Sequence, residues 1–416
     1  MFNLRIKMSA VLAALLCAGP VLAQDSGALI EALVRKGILN DQEAEEIRAD
    51  LVRDASMPPA VGTAGSNYAT RLRISGRLQT QFANLETDVA NAADPEGTSH
   101  FFMRRVYLTA RADLGADWNT NITYDFAGGF FDAAWVQYKK GVHTVDIGLR
   151  KVNLGYEERT SSGSLKAIER SGVTRYFVEE NNGRRLGAGS YRVGVFADGK
   201  QGNFFYGGAI TNPERAITAA VSSGAGNNTN NDLAYWANAG YNGKFDGGTY
   251  VIGGGYGFLP NQGGKAGASP FGVGTGNDLS VYSLYFDLTV GKLSLVTEYM
   301  AADVERGVSA TRDAEPTGWW IQPSYAVNDR LELVGRYSHL DSDGRGVNVS
   351  DGVRSAPGGG THDKLSEMYL GVNYYLKGND LKLQLGYVWG KSEDTVTGGF
   401  AEAKATGLRS QLQLNF

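Results

Sequence analysis

The chain has 416 residues, a formal net charge of −4, 56 glycines, 10 prolines, one cysteine and 11% aromatic residues. A single cysteine excludes a disulfide framework, and the acidic balance excludes nucleic acid as a partner, because affinity there comes from neutralising phosphates. Abundant glycine and aromatic residues with scarce proline suit a chain of many strands and turns.

The first residues read as an export signal. Arg5 and Lys7 form a short positive region, Met8 to Gly19 is apolar, and Pro20-Val21-Leu22-Ala23 gives a cut after Ala23. The rival reading, a lipoprotein modified at Cys17, meets Leu15 and Leu16 where small residues are needed. Removing residues 1–23 takes away the cysteine and lowers the basic count from 40 to 38 against 44 acidic residues, a net charge of −6. An exported chain without thiols has no thiolate chemistry. Past residue 23 no run of 18 apolar residues occurs, so no transmembrane helix is expected.

Residues 24–56 are expected to form a helical hairpin. Within 26–53, Leu29/Leu33 and Ala44/Ile47/Leu51 stand at helical spacings, Gly37 is a stop, and Asn40 with Glu43 makes a capping box. Residues 57–69, with Pro58-Pro59 and several glycines, read as a linker.

From residue 70 the period changes to two. Leu72, Ile74, Gly76 and Leu78 oppose Arg71, Arg73, Ser75, Arg77 and Gln79. Leu331, Leu333, Gly335 and Tyr337 oppose Glu332, Val334, Arg336 and Ser338, and Leu381, Leu383, Leu385, Tyr387 and Trp389 oppose Lys382, Gln384 and Gly386. The last residues repeat it, with Ser410, Leu412, Leu414 and Phe416 against Arg409, Gln411, Gln413 and Asn415. One face for lipid and one for water is the pattern of a membrane barrel. Sixteen such segments are predicted: 70–83, 100–114, 117–127, 131–141, 143–152, 184–197, 201–211, 231–245, 247–258, 277–290, 291–303, 315–327, 329–341, 361–377, 380–391 and 404–416.

Connections alternate in length. Gly115-Ala116, Gly141-Val142, Asp198-Gly199-Lys200, Asp246-Gly247, Gly291-Lys292, Asn328-Asp329 and Gly378-Asn379 are tight turns. The others, 84–99, 153–183, 212–230, 259–276, 304–314, 342–360 and 392–403, are long and polar, with Gly128-Gly129-Phe130 the short exception. The fold class expected is therefore an all-β, sixteen-stranded antiparallel transmembrane barrel over 70–416, following the short N-terminal helical hairpin. An even strand count places both termini on one side, the periplasmic side of a bacterial outer membrane.

Arginines gather on inward positions: Arg71, Arg73, Arg77, Arg105, Arg111, Arg150, Arg192, Arg336 and Arg409. A planar fork of donors suits phosphate or carboxylate, and inward arginines shift a pore toward anions. Asp113, Asp146, Glu298 and Glu332 also point inward, so the alternative is a wall of charge ladders serving solvation alone. The longest connection, 153–183, carries Glu157, Glu158, Arg159, Ser161, Ser162, Glu169 and Arg170, and its length predicts a constriction folded into the lumen. Asp341-Ser342-Asp343-Gly344 hints at a calcium loop but has Gly352 where the twelfth-position acid belongs, so an ordinary polar loop is expected. His100, His143, His339 and His362 have no ligand partner at short spacing, and neither a metal nor another cofactor is implied.

Several segments together resemble the phosphate- and polyphosphate-selective porins, the porin O/P family. They are GRLQTQF at 76–82, FFMRRVYL at 101–108, FDAAWVQY at 131–138 and GYEERTSS with AIERS across 155–171, followed by WWIQPSYAVNDRLELVGRYS and LGVNYYL. The resemblance implies passive diffusion of ions and small hydrophilic solutes without enzymatic chemistry, a homotrimer, small anions as permeants, lipid around the wall, and barrel-assembly machinery that reads Phe416. It also implies that Arg77, Arg104, Arg105, Tyr107, Asp132, Ser161, Ser162 and Arg170 hold the anion. Arg159 belongs with them on the loop. Strict alternation turns Arg104 toward lipid unless the strand bulges there, and leaves Asp132 ambiguous. The family's loop lysine is replaced by Glu158, whose carboxylate repels phosphate and modulates selectivity. Readings from other classes are a barrel serving only as a structural or adhesion anchor, and an outer-membrane hydrolase.

Overall fold

The computed structural model describes residues 71–179, 184–213, 233–260, 278–309, 311–394 and 401–416. The signal segment, hairpin and linker expected over 1–69 lie outside the described residues.

Seventeen strands are described: β1 (Arg71–Val89), β2 (Thr98–Leu114), β3 (Trp118–Asp125), β4 (Phe130–Lys140), β5 (His143–Lys151), β6 (Tyr191–Gln201), β7 (Phe204–Thr211), β8 (Ala234–Phe245), β9 (Gly248–Leu259), β10 (Leu279–Val290), β11 (Leu293–Ser309), β12 (Arg312–Ala314), β13 (Thr317–Ala326), β14 (Leu331–Asp341), β15 (Lys364–Lys377), β16 (Leu381–Glu393) and β17 (Glu402–Asn415). Each pairs antiparallel with its neighbour in sequence, and β17 returns to β1 in the register Arg77–Asn415 to Val89–Ala403. The ring is closed, which removes every edge strand. Sixteen strands make the wall. The seventeenth, β12, pairs only with the end of β11, so the expected loop 304–314 is largely a strand hairpin above the wall.

The period-two pattern produces the wall directly. On β16, Leu383 and Leu385 face outward at 45% and 49% exposure, while Lys382 and Gln384, which alternate with them, are buried. β17 repeats this with Leu412 out and Gln411 and Gln413 in. The tight turns rest on glycines in the left-handed region, Gly115 at φ 79° and Gly247 at φ 83°, a conformation that costs other residues a Cβ clash.

Two long connections enter the barrel. One carries α1 (Tyr156–Arg159) and α2 (Gly172–Val178); the other carries α3 (Val349–Gly352). They meet where Gly172 and Gly352 approach so closely that a Cβ on Gly172 would stand 2.8 Å from the Gly352 Cα. Arg175 donates to the carbonyls of Gly352 and Ser350 at 2.8 and 3.1 Å. Tyr176, Phe177 and Val178 are fully buried against Met300, Trp320, Leu340 and Val347. The apolar core therefore lies inside the barrel, between wall and loops. The connection expected as long and polar at 342–360 is largely part of this interior. Its acids are engaged, Asp351 with Arg184 at 2.9 Å and Asp343 with Arg312 at 3.0 Å.

Candidate functional site

A connection that crosses a lumen must satisfy its backbone polar groups with something other than a sheet. Here a ladder of wall amides does so. Gln79 donates to Gln413 (2.7 Å), Gln81 to Gln411 (2.9 Å), Gln411 to Gln384 (2.7 Å) and Gln384 to Asn373 (3.0 Å), spanning β1, β17, β16 and β15. The same side chains donate to the connection's carbonyls: Gln79 to Ser162 at 3.1 Å, Gln413 to Gly163 at 2.9 Å, and Asn373 and Gln384 to Lys166 at 3.0 Å each. On the opposite wall Glu298 accepts from the Tyr156 and Glu157 N–H groups at 2.7 and 3.2 Å, fixing the first turn of α1. Glu157 accepts from Ser171 N–H and hydroxyl at 2.9 and 2.8 Å, and pairs with Arg336 at 3.0 Å. The expectation that 153–183 narrows the lumen holds for its described residues.

All ten residues expected at the site, Arg77, Arg104, Arg105, Tyr107, Asp132, Glu158, Arg159, Ser161, Ser162 and Arg170, line one cavity of about 640 Å³. Arg77 donates from Nε to Asn415 at 2.8 Å, from Nη1 to Ser162 Oγ at 2.7 Å and from Nη2 to Ser161 Oγ at 3.3 Å. Gly163 leaves it room, since a Cβ there would lie 2.5 Å from Arg77 Nη2. Arg105 donates to Gln79 Oε1 at 2.8 Å.

Two β-bulges settle the positions that alternation leaves open. Gln79 pairs with Arg105 and Thr80 with Met103, so Arg104 is the extra residue, and its side chain turns inward to Glu169 at 2.7 Å. Thr123 pairs with Ala133 and Tyr124 with Phe131, so Asp132 is extra in the same way and accepts from Tyr191 Oη at 2.6 Å. A bulge adds one residue to one strand and re-aims a side chain.

Glu158 is buried, between Lys151 at 3.1 Å and Arg170 at 3.0 Å. Burial pushes its carboxyl up, but Arg170 and Lys151 outweigh that and hold it below the usual glutamate range. Arg170 also donates to the carbonyls of Glu157, Glu158 and Thr160 at 3.1 to 3.2 Å, closing the end of α1. Arg159 donates to Tyr285 Oη at 3.4 Å.

Sequence reasoning missed Lys151, Glu179, Arg185, Tyr191 and Arg354, which line the same cavity. Lys151 ends β5 beside the expected site, so its position was a usable signal. Arg354 comes from the second entering connection, which had only its length to announce it. Counting the whole lining gives eight basic and four acidic side chains.

A comparison with curated protein sequences gave no match. Among solved structures, the anion-selective porin of Comamonas acidovorans is similar at 14% identity and a TM-score of 0.55, covering 82% of this chain and 99% of that one. The outer membrane channel DcaP of Acinetobacter baumannii aligns at 13% identity and a TM-score of 0.54, covering 85% of this chain and 100% of that one. OmpF of Salmonella typhi, solved in complex with daunomycin, aligns at 12% and 0.51, covering 84% and 99%. At these identities the likeness establishes the barrel fold. The sequence itself matches the family described as phosphate-selective porin O and P over residues 72–416. A closed sixteen-stranded barrel narrowed by an inward connection, carrying that match over its whole wall, belongs to the phosphate-selective porin O and P family and is an outer-membrane channel for small solutes.

Proposed function

We propose that the channel prefers anions weakly and does not bind phosphate tightly. The observation that carries this reading is the cavity lining, eight basic against four acidic side chains, with Glu158 set between two of the cations. The excess of guanidinium groups attracts anions. Glu158 neutralises part of that field where the family resemblance implies a lysine, and lowers affinity for a dianion more than for chloride. The similar porin of Comamonas acidovorans is itself described as anion-selective. Conduction is passive and calls for no catalytic group. Residues 1–23 are removed on export, both chain ends lie on the periplasmic side, and the barrel assembles as a homotrimer in lipid after its Phe416 terminus is read by the assembly machinery. The ring of Phe416 supports that last point by lying on the outer wall over Gly76, where a Cβ would be 2.3 Å from it.

The test is the reversal potential of single channels in asymmetric KCl. Wild type should favour chloride, and Arg77→Gln or Arg105→Gln should move the potential toward zero while heat-modifiable barrels still form. Cation preference in the wild type, or no change in either variant, overturns the reading.

A further inference from the structure

The cations that line the cavity divide by what already holds them. Lys151 and Arg170 close on Glu158 at 3.1 and 3.0 Å. Arg104 pairs with Glu169, and Arg185 and Arg354 pair with Glu179. Arg77 and Arg105 have no carboxylate partner among the described residues. Arg77 meets only Asn415, Ser161 and Ser162, and Arg105 only Gln79. Arg105 is 5% exposed, and its Nε and Nη2 have no acceptor among the described residues. Arg159, the third cation without a carboxylate, is engaged by Tyr285 Oη and stands over the Phe205 ring.

The acids of the same lining divide in the same way. Glu158 and Glu179 are paired, whereas Asp125 and Asp132 make no ion pair among the described residues. Asp132 is 8% exposed; its Oδ2 accepts from Tyr191, and its Oδ1 has no donor. Asp125 accepts from the Val106 and Ala127 N–H groups, both through Oδ1. A buried charge is tolerated when an opposite charge compensates it. These four groups border one space. Arg77, Tyr107 and Asp125 stand in register across β1, β2 and β3, a row about 10 Å wide at ordinary strand spacing. Arg105 is two residues from Tyr107 on β2, and Asp132 lies on β4. Asp132 is near enough to act electrostatically on both guanidinium groups, yet pairs with neither.

We propose that the cavity takes zwitterionic α-amino acids, their carboxylate on Arg77 and Arg105 and their ammonium group on Asp132 and Asp125. A simple anion answers the two guanidinium groups but is repelled by both carboxylates, and a simple cation meets the reverse. A molecule that carries the two charges on neighbouring atoms satisfies both sides of the row together. The ammonium group supplies the donors that Asp132 Oδ1 and Asp125 Oδ2 lack. A cavity of about 640 Å³ also leaves room for a side chain. The inference rests on reading this cavity as the selective part of the channel, and it names the solute class. A weak anion preference is consistent with it, because three unpaired cations face two unpaired acids.

Alanine and propionate are the probes, since they differ by the ammonium group alone. Each is added to single channels carrying chloride current at low salt and neutral pH. In the wild type, alanine should block at a concentration on the order of tenfold lower than propionate, one hydrogen bond between charged groups being worth about that factor. Lactate, with a hydroxyl in place of the ammonium group, should behave as propionate does. Arg77→Gln should weaken block by all three solutes, whereas Asp132→Asn should bring the alanine and propionate concentrations together. Equal block by alanine and propionate in the wild type, lactate as strong as alanine, or an unchanged ratio in Asp132→Asn overturns the proposal. If Asp132→Asn does not assemble, the wild-type comparison decides alone. The reversal potential in KCl reports the anion preference separately, so that reading and this one fail by different measurements.

Discussion

Arg104 and Glu169 pair inside the barrel, Nε to Oε1 at 2.7 Å and Nη2 to Oε2 at 3.2 Å. The pair joins the wall to the constriction at the point where β2 bulges, and Arg354 reaches the same carboxylate from the second entering connection at 2.9 Å. One acid therefore ties three parts of the chain together.

Removing either partner leaves the other buried with an incomplete set of contacts. Arg104→Met should weaken docking of the constriction by about 3 kcal/mol, the lower end for breaking a buried pair, because Arg354 and Gln81 remain on Glu169. Hydrogen exchange of amides 165–171 should accelerate and single-channel conductance should rise. Unchanged exchange would show that the amide ladder alone holds the segment.

Glu158 sets how strongly phosphate blocks chloride current. A unit charge ~4 Å from an anion in a water-like dielectric is worth about 1 kcal/mol. Glu158→Gln should therefore strengthen block by inorganic phosphate about fivefold at low salt, where screening is weakest. Lys151 and Arg170 gain in the variant what the carboxylate held in the wild type. Block that stays the same would place the rate-determining site elsewhere in the lumen.

Acid should loosen the constriction before it unfolds the wall. Burial alone would raise the carboxyls of Glu169 and Glu179. For Glu169, Arg104 and Arg354 outweigh it and hold the group well below the usual range. For Glu179, Arg175, Arg354 and Arg185 bring it down to about 2. A carboxyl depressed in the folded state contributes its full stabilisation above the unfolded value near ~4.3, and loses it progressively as pH falls toward the folded value. Conductance should stay constant down to about pH 4 and rise between there and about 2, while the slow-migrating unfolded band stays absent from gels. A rise beginning above pH 5 would point to other groups.

The two faces of β16 should answer differently to charge. Leu383→Arg places a cation against lipid and should cost ~2–4 kcal/mol near the midplane, seen as less heat-modifiable barrel. Gln384→Ala leaves the wall intact but removes donors to Asn373 and to the carbonyls of Leu165 and Lys166. Barrel yield should be normal and conductance higher. Equal loss of barrel in both variants would show that the ladder supports the wall itself.

Strand number, facing and closure were legible because each wall residue needs only its own parity, as Leu383 and Gln384 show. The site was legible in content and less so in geometry. Arg77 and Arg105 follow from alternation, whereas Arg104 and Asp132 depend on bulges, and a bulge is defined by the partner strand's register rather than by its own residues. Gln384 and Gln411 read as water-facing, yet both are buried under the connection that crosses the lumen. That burial depends on contacts more than two hundred positions apart in sequence, such as Gln384 to Lys166. Arg354 likewise enters the site through a distant contact, with Glu169 185 positions away.

The amide ladder crosses the seam where the first and last strands of the barrel meet: Gln79 and Gln81 on β1, Gln411 and Gln413 on β17. Its rungs join positions separated by 334 and 330 residues, so they form only after nearly the entire chain has been laid into the wall. Contacts of that span are slow to make, because loop-closure entropy is lost before they contribute. The segment 162–166 rests on this ladder and has no complete support before it exists. A barrel caught with its seam unzipped would therefore be a wide, unselective hole. Selectivity arrives in the same step as closure, and a protein that has become a narrow pore has, by that fact, finished folding.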